Sequence, residues 1–217
     1  MKTITPTPTP TTFFLPADDL RAALHCVSAT SYYLNGVFVE SDNLVATDGH
    51  QMLTIELPDG CHVGTECFTQ GTSGPLPKMP YAGFILSCDA TDKAFKAKAS
   101  GSSDLWVYGD IETGILQFVI NHEEGGEMSR VGVLEFTRID GTYPEWRRVV
   151  AKGDGGATSL CYDPAVLARL VKAADVIEKG KGVRLTSGEG GGDPIRVDFV
   201  ASPRLRGTLM PMRWTGA

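Results

Sequence analysis

The sequence predicts an α+β fold made of one repeated unit: a short strand, a helix, then three strands that form antiparallel sheet. Two observations predict it. An apolar strand running into a helix start occurs three times, as "FFLPADDLRAAL" at 13–24, "FILSCDATDKAF" at 84–95 and "SLCYDPAVLARL" at 159–170. Each is followed by strand-like runs, alternating or continuously apolar, with turn residues between them.

Composition sets the bounds. A chain of 217 residues holds one or two domains, and 42% hydrophobic residues supply a core. No apolar run is long enough to span a membrane, and "MKTITPTPTPTT" lacks the apolar centre of a signal peptide. The expectation is a soluble cytoplasmic protein with no membrane partner. Five cysteines, an odd number without framework spacing, fit reduced thiols. Cys61, His62 and Cys67 lack a second ligand pair at zinc spacing, so neither metal nor cofactor is expected. A net charge of −6 requires that any nucleic-acid contact be confined to one face.

The elements follow in order. Residues 1–12, rich in Thr-Pro, read as an extended arm. The first unit spans 13–57. Pro16 is read as its first-turn proline, with Asp18 and Asp19 near the positive helix end. Its strands are "YYLNGVFVE", "NLVAT" and "QMLTIEL". Asp48-Gly49 between apolar runs signals a two-residue hairpin turn. A connection at 58–81, rich in Gly and Pro, leads to the second unit at 82–150, with strands "LWVYGDI", "ILQFVIN" and "RVGVLEFTR". "AKGDGGA" at 151–157 is a linker before the third unit, 158–217. There Asp163 caps a helix whose first residue is Pro164. In "PIRVDFV", Ile195, Val197 and Phe199 point one way, Arg196 and Asp198 the other.

Helix faces follow from about 100° per residue. Val166, Leu167, Leu170, Val171, Ala174 and Ile177 share the apolar face of the third-unit helix, with Arg169, Lys172 and Lys179 opposite. In the second unit, Lys93 and Lys96 lie opposite Cys88 and Phe95. In the first, Ala22, His25 and Asp18 fall outward, with Arg21 at the flank.

"LVATDGHQML" puts Thr47, Asp48 and His50 together, a grouping that could suggest catalysis. A catalytic site needs a nucleophile, a base and an orienting group converging in a pocket. Thr47 has no activating partner besides His50, and a hairpin accounts for every residue except His50.

Three segments resemble one family. "YYLNGVFVE…NLVATDGHQM", "DGTYPEWRRVV" at 140–150 and "LMPMRW" at 209–214 resemble, in order, segments of the bacterial sliding clamp, the beta subunit of DNA polymerase III. The departures are Gln51 for the family's Arg, Met52 for its Leu, and a Trp214–Ala217 ending. The resemblance makes units one and two, 13–150, one complete domain and unit three, 158–217, a half domain; the chain is also shorter, without counterparts of the family's first domain and of the first half of its third.

The resemblance implies the DNA-clamp fold, with helices on the inner face of a ring, and a non-catalytic processivity factor that encircles duplex DNA. It implies a partner-peptide groove for polymerase and clamp-loader peptides, walled by Leu34, Thr47, Gly49, His50, Met52, Pro144, Arg148, Val149, Met210, Pro211, Met212 and Arg213. Methionines suit such a groove because their side chains repack. DNA contact would fall to Arg21, Tyr32, Tyr33, Lys93, Lys96, Arg169, Lys172 and Lys179. A ring of twelve units would take four copies of a three-unit chain, joined head to tail as a homotetramer, or three copies if 58–80 hides a fourth unit. The alternative is a clamp-derived regulator that keeps the groove without encircling DNA. An enzyme built on Thr47, Asp48 and His50, or on a Cys/His metal site, is the remaining reading.

Overall fold

The computed structural model describes residues 11–64, 83–87, 105–121, 128–152, 161–180, 182–188 and 192–212. The helix expected at 88–96, with Lys93 and Lys96, lies outside the described residues, as do the arm at 1–10, most of the 151–157 linker and Arg213.

The first unit begins with strand β1 (Thr12–Pro16) and helix α1 (Ala17–Leu24). Pro16 is the N-cap residue rather than the first helical one, and α1 begins without a side-chain cap. Residues Tyr32–Leu34, expected to be extended, form one 3₁₀ turn. Strands β2 (Gly36–Val39), β3 (Asn43–Thr47) and β4 (Gln51–Glu56) follow as expected. Within the expected connection lies a short strand, β5 (His62–Gly64), paired with β1.

The second unit contributes β6 (Phe84–Ser87), β7 (Leu105–Asp110), β8 (Ile115–Asn121), β9 (Met128–Glu135) and the short β10 (Arg138–Ile139). The third contributes helix α2 (Pro164–Ile177) and strands β11 (Val183–Thr186), β12 (Ile195–Phe199) and β13 (Leu205–Leu209). Asp163 caps α2 by accepting from the Ala165 N–H at 2.8 Å, with Pro164 at the first helical position. The alternation in β12 holds: Ile195, Val197 and Phe199 are buried, while Arg196 and Asp198 are partly exposed.

The units are woven together. One sheet runs β5-β1-β7-β8-β9, the other β10-β6-β2-β3-β4-β13-β12-β11, and every pairing among these strands is antiparallel. Units one and two exchange their first strands: β1 lies beside β7 and β6 beside β2. Unit three joins unit one instead, through β4 against β13, with Leu205 opposite Ile55 and Leu209 opposite Gln51. Unit three thus has a sheet neighbour within the chain on its β13 side.

Both helices pack on the same side of the long sheet and against each other. The main core lies between them and the strands, around Phe13, Leu20, Leu44, Leu53, Ile55, Leu170 and Val197. Helix packing explains a second correction. Ala22, expected on an outer face, is fully buried. An ion pair pins the junction: Arg204 donates from two guanidinium nitrogens to the Asp19 carboxylate, at 2.6 and 2.7 Å, and to the Glu56 carbonyl at 3.2 Å. No helix among the described residues is long and apolar enough to cross a membrane.

Candidate functional site

Strand alternation divides β4 between two environments. Leu53 and Ile55 face the helices, whereas Met52 joins a second apolar cluster with Leu34, Val45, Ile85, Ile139, Tyr143 and Trp146. This cluster covers the face of the long sheet opposite the helices. Thr47 stands opposite Met52 on β3 and Thr208 opposite Met52 on β13, so both share its face. Gln51 points to the helix side and is buried, with no hydrogen-bond partner for its amide among the described residues.

The β3–β4 hairpin is built by local hydrogen bonds. Three residues, Asp48–His50, separate the strands, one more than the expected two-residue turn. Gly49 adopts φ +92°, a conformation that favours glycine. The Asp48 carboxylate accepts from the N–H groups of His50 and Gln51, at 2.9 and 3.0 Å, and pairs with Arg169 of α2 at 2.6 Å. The Thr47 hydroxyl donates to the Gln51 carbonyl and accepts from the Gly49 N–H at 3.1 Å. Thr47 thus spends its hydroxyl on the turn, and Asp48 gives one carboxylate oxygen to the turn and the other to α2. His50 is exposed, and its carbonyl accepts from the Met210 N–H at 2.9 Å, which ties the hairpin to the segment leaving β13.

The segment 140–152 crosses the same face. Tyr143 stacks on Phe38 with ring centroids 4.7 Å apart and donates to the Val45 carbonyl at 3.3 Å. Burial raises its phenol above the usual range, only partly offset by a backbone hydrogen bond. Trp146 is buried, and the Arg147 guanidinium lies over its ring while binding Glu40 with two nitrogens. The Ala151 N–H donates to Thr208 at 3.4 Å.

These anchors hold the remaining wall residues in place. Pro144 and Arg148 are exposed, as are Val149 at 47%, Met210 at 40% and Met212 at 52%. Pro211 is partly exposed. Leu34 and Met52 are buried and form a floor. A cleft of about 410 Å³ opens beside this strip, lined by Arg148, Val150, Ala151, Lys152, Gly188, Asp193 and Pro194. Of the described wall residues read from the sequence, Arg148 alone lines it. The others in the cleft come from the 150–152 stretch and the β11–β12 turn, whose proximity depends on unit three docking onto unit one.

Arg21 lies on α1, Arg169 and Lys172 lie on α2, and Lys179 lies just after α2. Lys172 and Lys179 are exposed and have no ion pair among the described residues. Two of the expected DNA contacts are committed elsewhere: Arg169 to Asp48, and Arg21 to Asp18 at 3.0 Å. Tyr32 at 68% and Tyr33 at 47% exposure stand out as large aromatic side chains in water. Cys26 is fully buried near Asp48, and burial first, then that negative charge, pushes its thiol well up.

No family model matches the sequence, and no curated protein is significantly similar to it. Solved structures are similar. A DnaN sliding clamp, DNA polymerase III subunit beta, from Bartonella birtlesii bound to griselimycin has TM-score 0.60 at 17% identity, over 99% of this chain and 69% of that one. A DNA polymerase sliding clamp from Pseudomonas aeruginosa with ligand has TM-score 0.59 at 16% identity, with the same coverage. A Pseudomonas aeruginosa DnaN clamp bound to griselimycin has TM-score 0.57 at 15% identity, over 99% of this chain and 68% of that one. The chain has the sliding-clamp fold, in a version shorter than these structures, as the sequence led one to expect.

Proposed function

We propose that this chain is a DNA sliding clamp, a non-catalytic polymerase processivity factor of the cytoplasm. The observation that carries the reading is the division of the long sheet into two working faces. One face bears α1, α2 and the exposed Lys172 and Lys179; the other bears an apolar strip rimmed by exposed Val149, Met210 and Met212. Duplex DNA would be held on the helix face by phosphate attraction without sequence readout, which permits sliding. Polymerase and clamp-loader peptides would dock on the apolar strip, where exposed methionines repack around different side chains. The clamp structures bound to griselimycin support a ligand groove in this fold.

A peptide of the polymerase clamp-binding type should bind at micromolar Kd, about −8 kcal/mol. Met212→Ala or Pro211→Ala should weaken it by roughly 1–2 kcal/mol. Titration calorimetry, with griselimycin as competitor, measures both. Folded protein that binds neither ligand overturns the groove.

The helix face is tested separately. Lys172→Glu with Lys179→Glu should leave thermal stability unchanged, since both side chains face water. DNA association should fall, and the slope of log K against log salt should drop by about one for each phosphate no longer neutralised. An unchanged slope would make these lysines ordinary solvated residues. A protein that binds the peptides but gives a polymerase no added processivity would be the non-encircling regulator.

A further inference from the structure

The three units differ at one edge. In unit one, the outer side of β2 carries β6, the first strand of unit two. In unit two, the outer side of β7 carries β1, the first strand of unit one. The equivalent strand of unit three is β11, and among the described residues it has β12 on one side and no strand on the other. Its burial is correspondingly incomplete: Val183, Leu185 and Thr186 are partly exposed, whereas Gly36, Val37 and Val39 of β2 are buried.

The backbone of β11 is set for another strand. Val200 donates to the Gly182 carbonyl at 3.3 Å, continuing the register in which Val183 faces Phe199. Antiparallel alternation then turns the N–H and C=O groups of Val183 and Leu185 toward the open edge.

The other half of the exchange is also in place. Unit three's own first segment lies just before α2, where the Cys161 carbonyl accepts from the Met212 N–H at 2.8 Å. That contact is the counterpart of β5 on β1, in which the chain returning from a unit's last strand pairs with its first. On β1 the opposite side is taken by β7 of the partner unit.

We propose that unit three pairs with unit three of a second copy of this chain. Residues 161–163, before α2 of each copy, lie along β11 of the other, so one twofold axis relates them and the contact is isologous. Units one and two of a neighbour cannot take this place, because β6 and β1 already fill the corresponding edges. Head-to-tail joining at this edge, expected from counting units, is replaced accordingly. A ring of four such chains would close through twofold axes rather than a fourfold one. The pairing rests on strand order and stands independently of the groove and of DNA binding.

The test uses the full chain. Light scattering should give a mass of at least twice the 23.3 kDa chain. Cysteines placed singly at Val183, Arg184, Leu185 and Thr186, under mild oxidation, should yield a covalent dimer from at least one position. That product should disappear with Cys161→Ser, and the covalent ladder should stop at two chains. Val183→Pro removes an open-edge N–H without breaking the β11–β12 ladder, and should raise the dimer Kd at least about tenfold while circular dichroism is retained. A monomer at the highest soluble concentration, cross-links that survive Cys161→Ser, or an unaltered Kd for folded Val183→Pro would each overturn the proposal. Peptide calorimetry is unaffected by any of these outcomes, so failure here is distinct from failure of the groove.

Discussion

Asp19→Ala should cost about 3 kcal/mol of stability, lowering Tm by roughly 6–12 °C in a chain of this size. Asp19 is 1% exposed, on the first turn of α1 in unit one. Its carboxylate receives both guanidinium contacts from Arg204, on the turn before β13 in unit three. Arg204 is also tied to β4 in both directions: its guanidinium donates to the Glu56 carbonyl, and its own carbonyl accepts from the Glu56 N–H at 2.9 Å. Removing Asp19 leaves a cation that can still reach water, since Arg204 is about one-third exposed (30%). The opposite deletion, Arg204→Ala, strands a buried carboxyl. Burial already pushes Asp19 above the usual carboxylate range, with Arg204 pulling it back. Without Arg204 the folded-state pKa rises further above the unfolded one. The variant should therefore be most stable at acid pH, where the group is protonated. It should lose stability as pH rises from the ordinary carboxylate range through the raised pKa. Thermal melts of the two variants across pH would check this, and a pH-independent deficit for Arg204→Ala would contradict it.

The local parts of the fold were legible in the sequence pattern, and the overall fold was legible only through the resemblance. Period-two alternation marked β12, Asp163-Pro164 marked the start of α2, and Asp48-Gly49 marked the hairpin, because each signal is contained within a few residues. The proline rule misjudged Pro16 by one position, since its fixed φ suits an extended N-cap as well as a first turn. β5 was lost in a Gly/Pro-rich connection because three residues are too few to show alternation. Pairing of β4 with β13 joins residues about 150 positions apart, and no periodicity reports a partner that distant. The same blindness affected charge. Helical spacing placed Arg169 on a free outer face, but the hairpin of another unit supplies Asp48 to meet it. Groove residues came from resemblance, not from pattern. Of those residues, the structure buries Leu34 and Met52 and leaves Val149, Met210 and Met212 exposed.

Phe13→Ala should destabilise the protein by roughly 3–5 kcal/mol, the usual cost of deleting a buried aromatic ring. Phe13 is fully buried on β1, the strand that unit one lends to the sheet of unit two. Its ring lies 5.4 Å from that of Phe84 and edge-on to Phe136 at 6.0 Å, so it bridges the two units. Opposite it on β7 is Gly109, where an added Cβ would fall 2.1 Å from the Phe13 ring. Gly109→Ala alone therefore forces the ring or the β1–β7 pairing to shift, at about 1–3 kcal/mol for overpacking. The two changes should not add. Once the ring is gone the methyl has space, and it refills part of the cavity. Denaturant unfolding of both single variants and the double variant closes the cycle, which should return a favourable coupling of at least about 1 kcal/mol. Additive effects would mean that β1 and β7 accommodate the methyl by moving apart, and that the ring does not set their spacing.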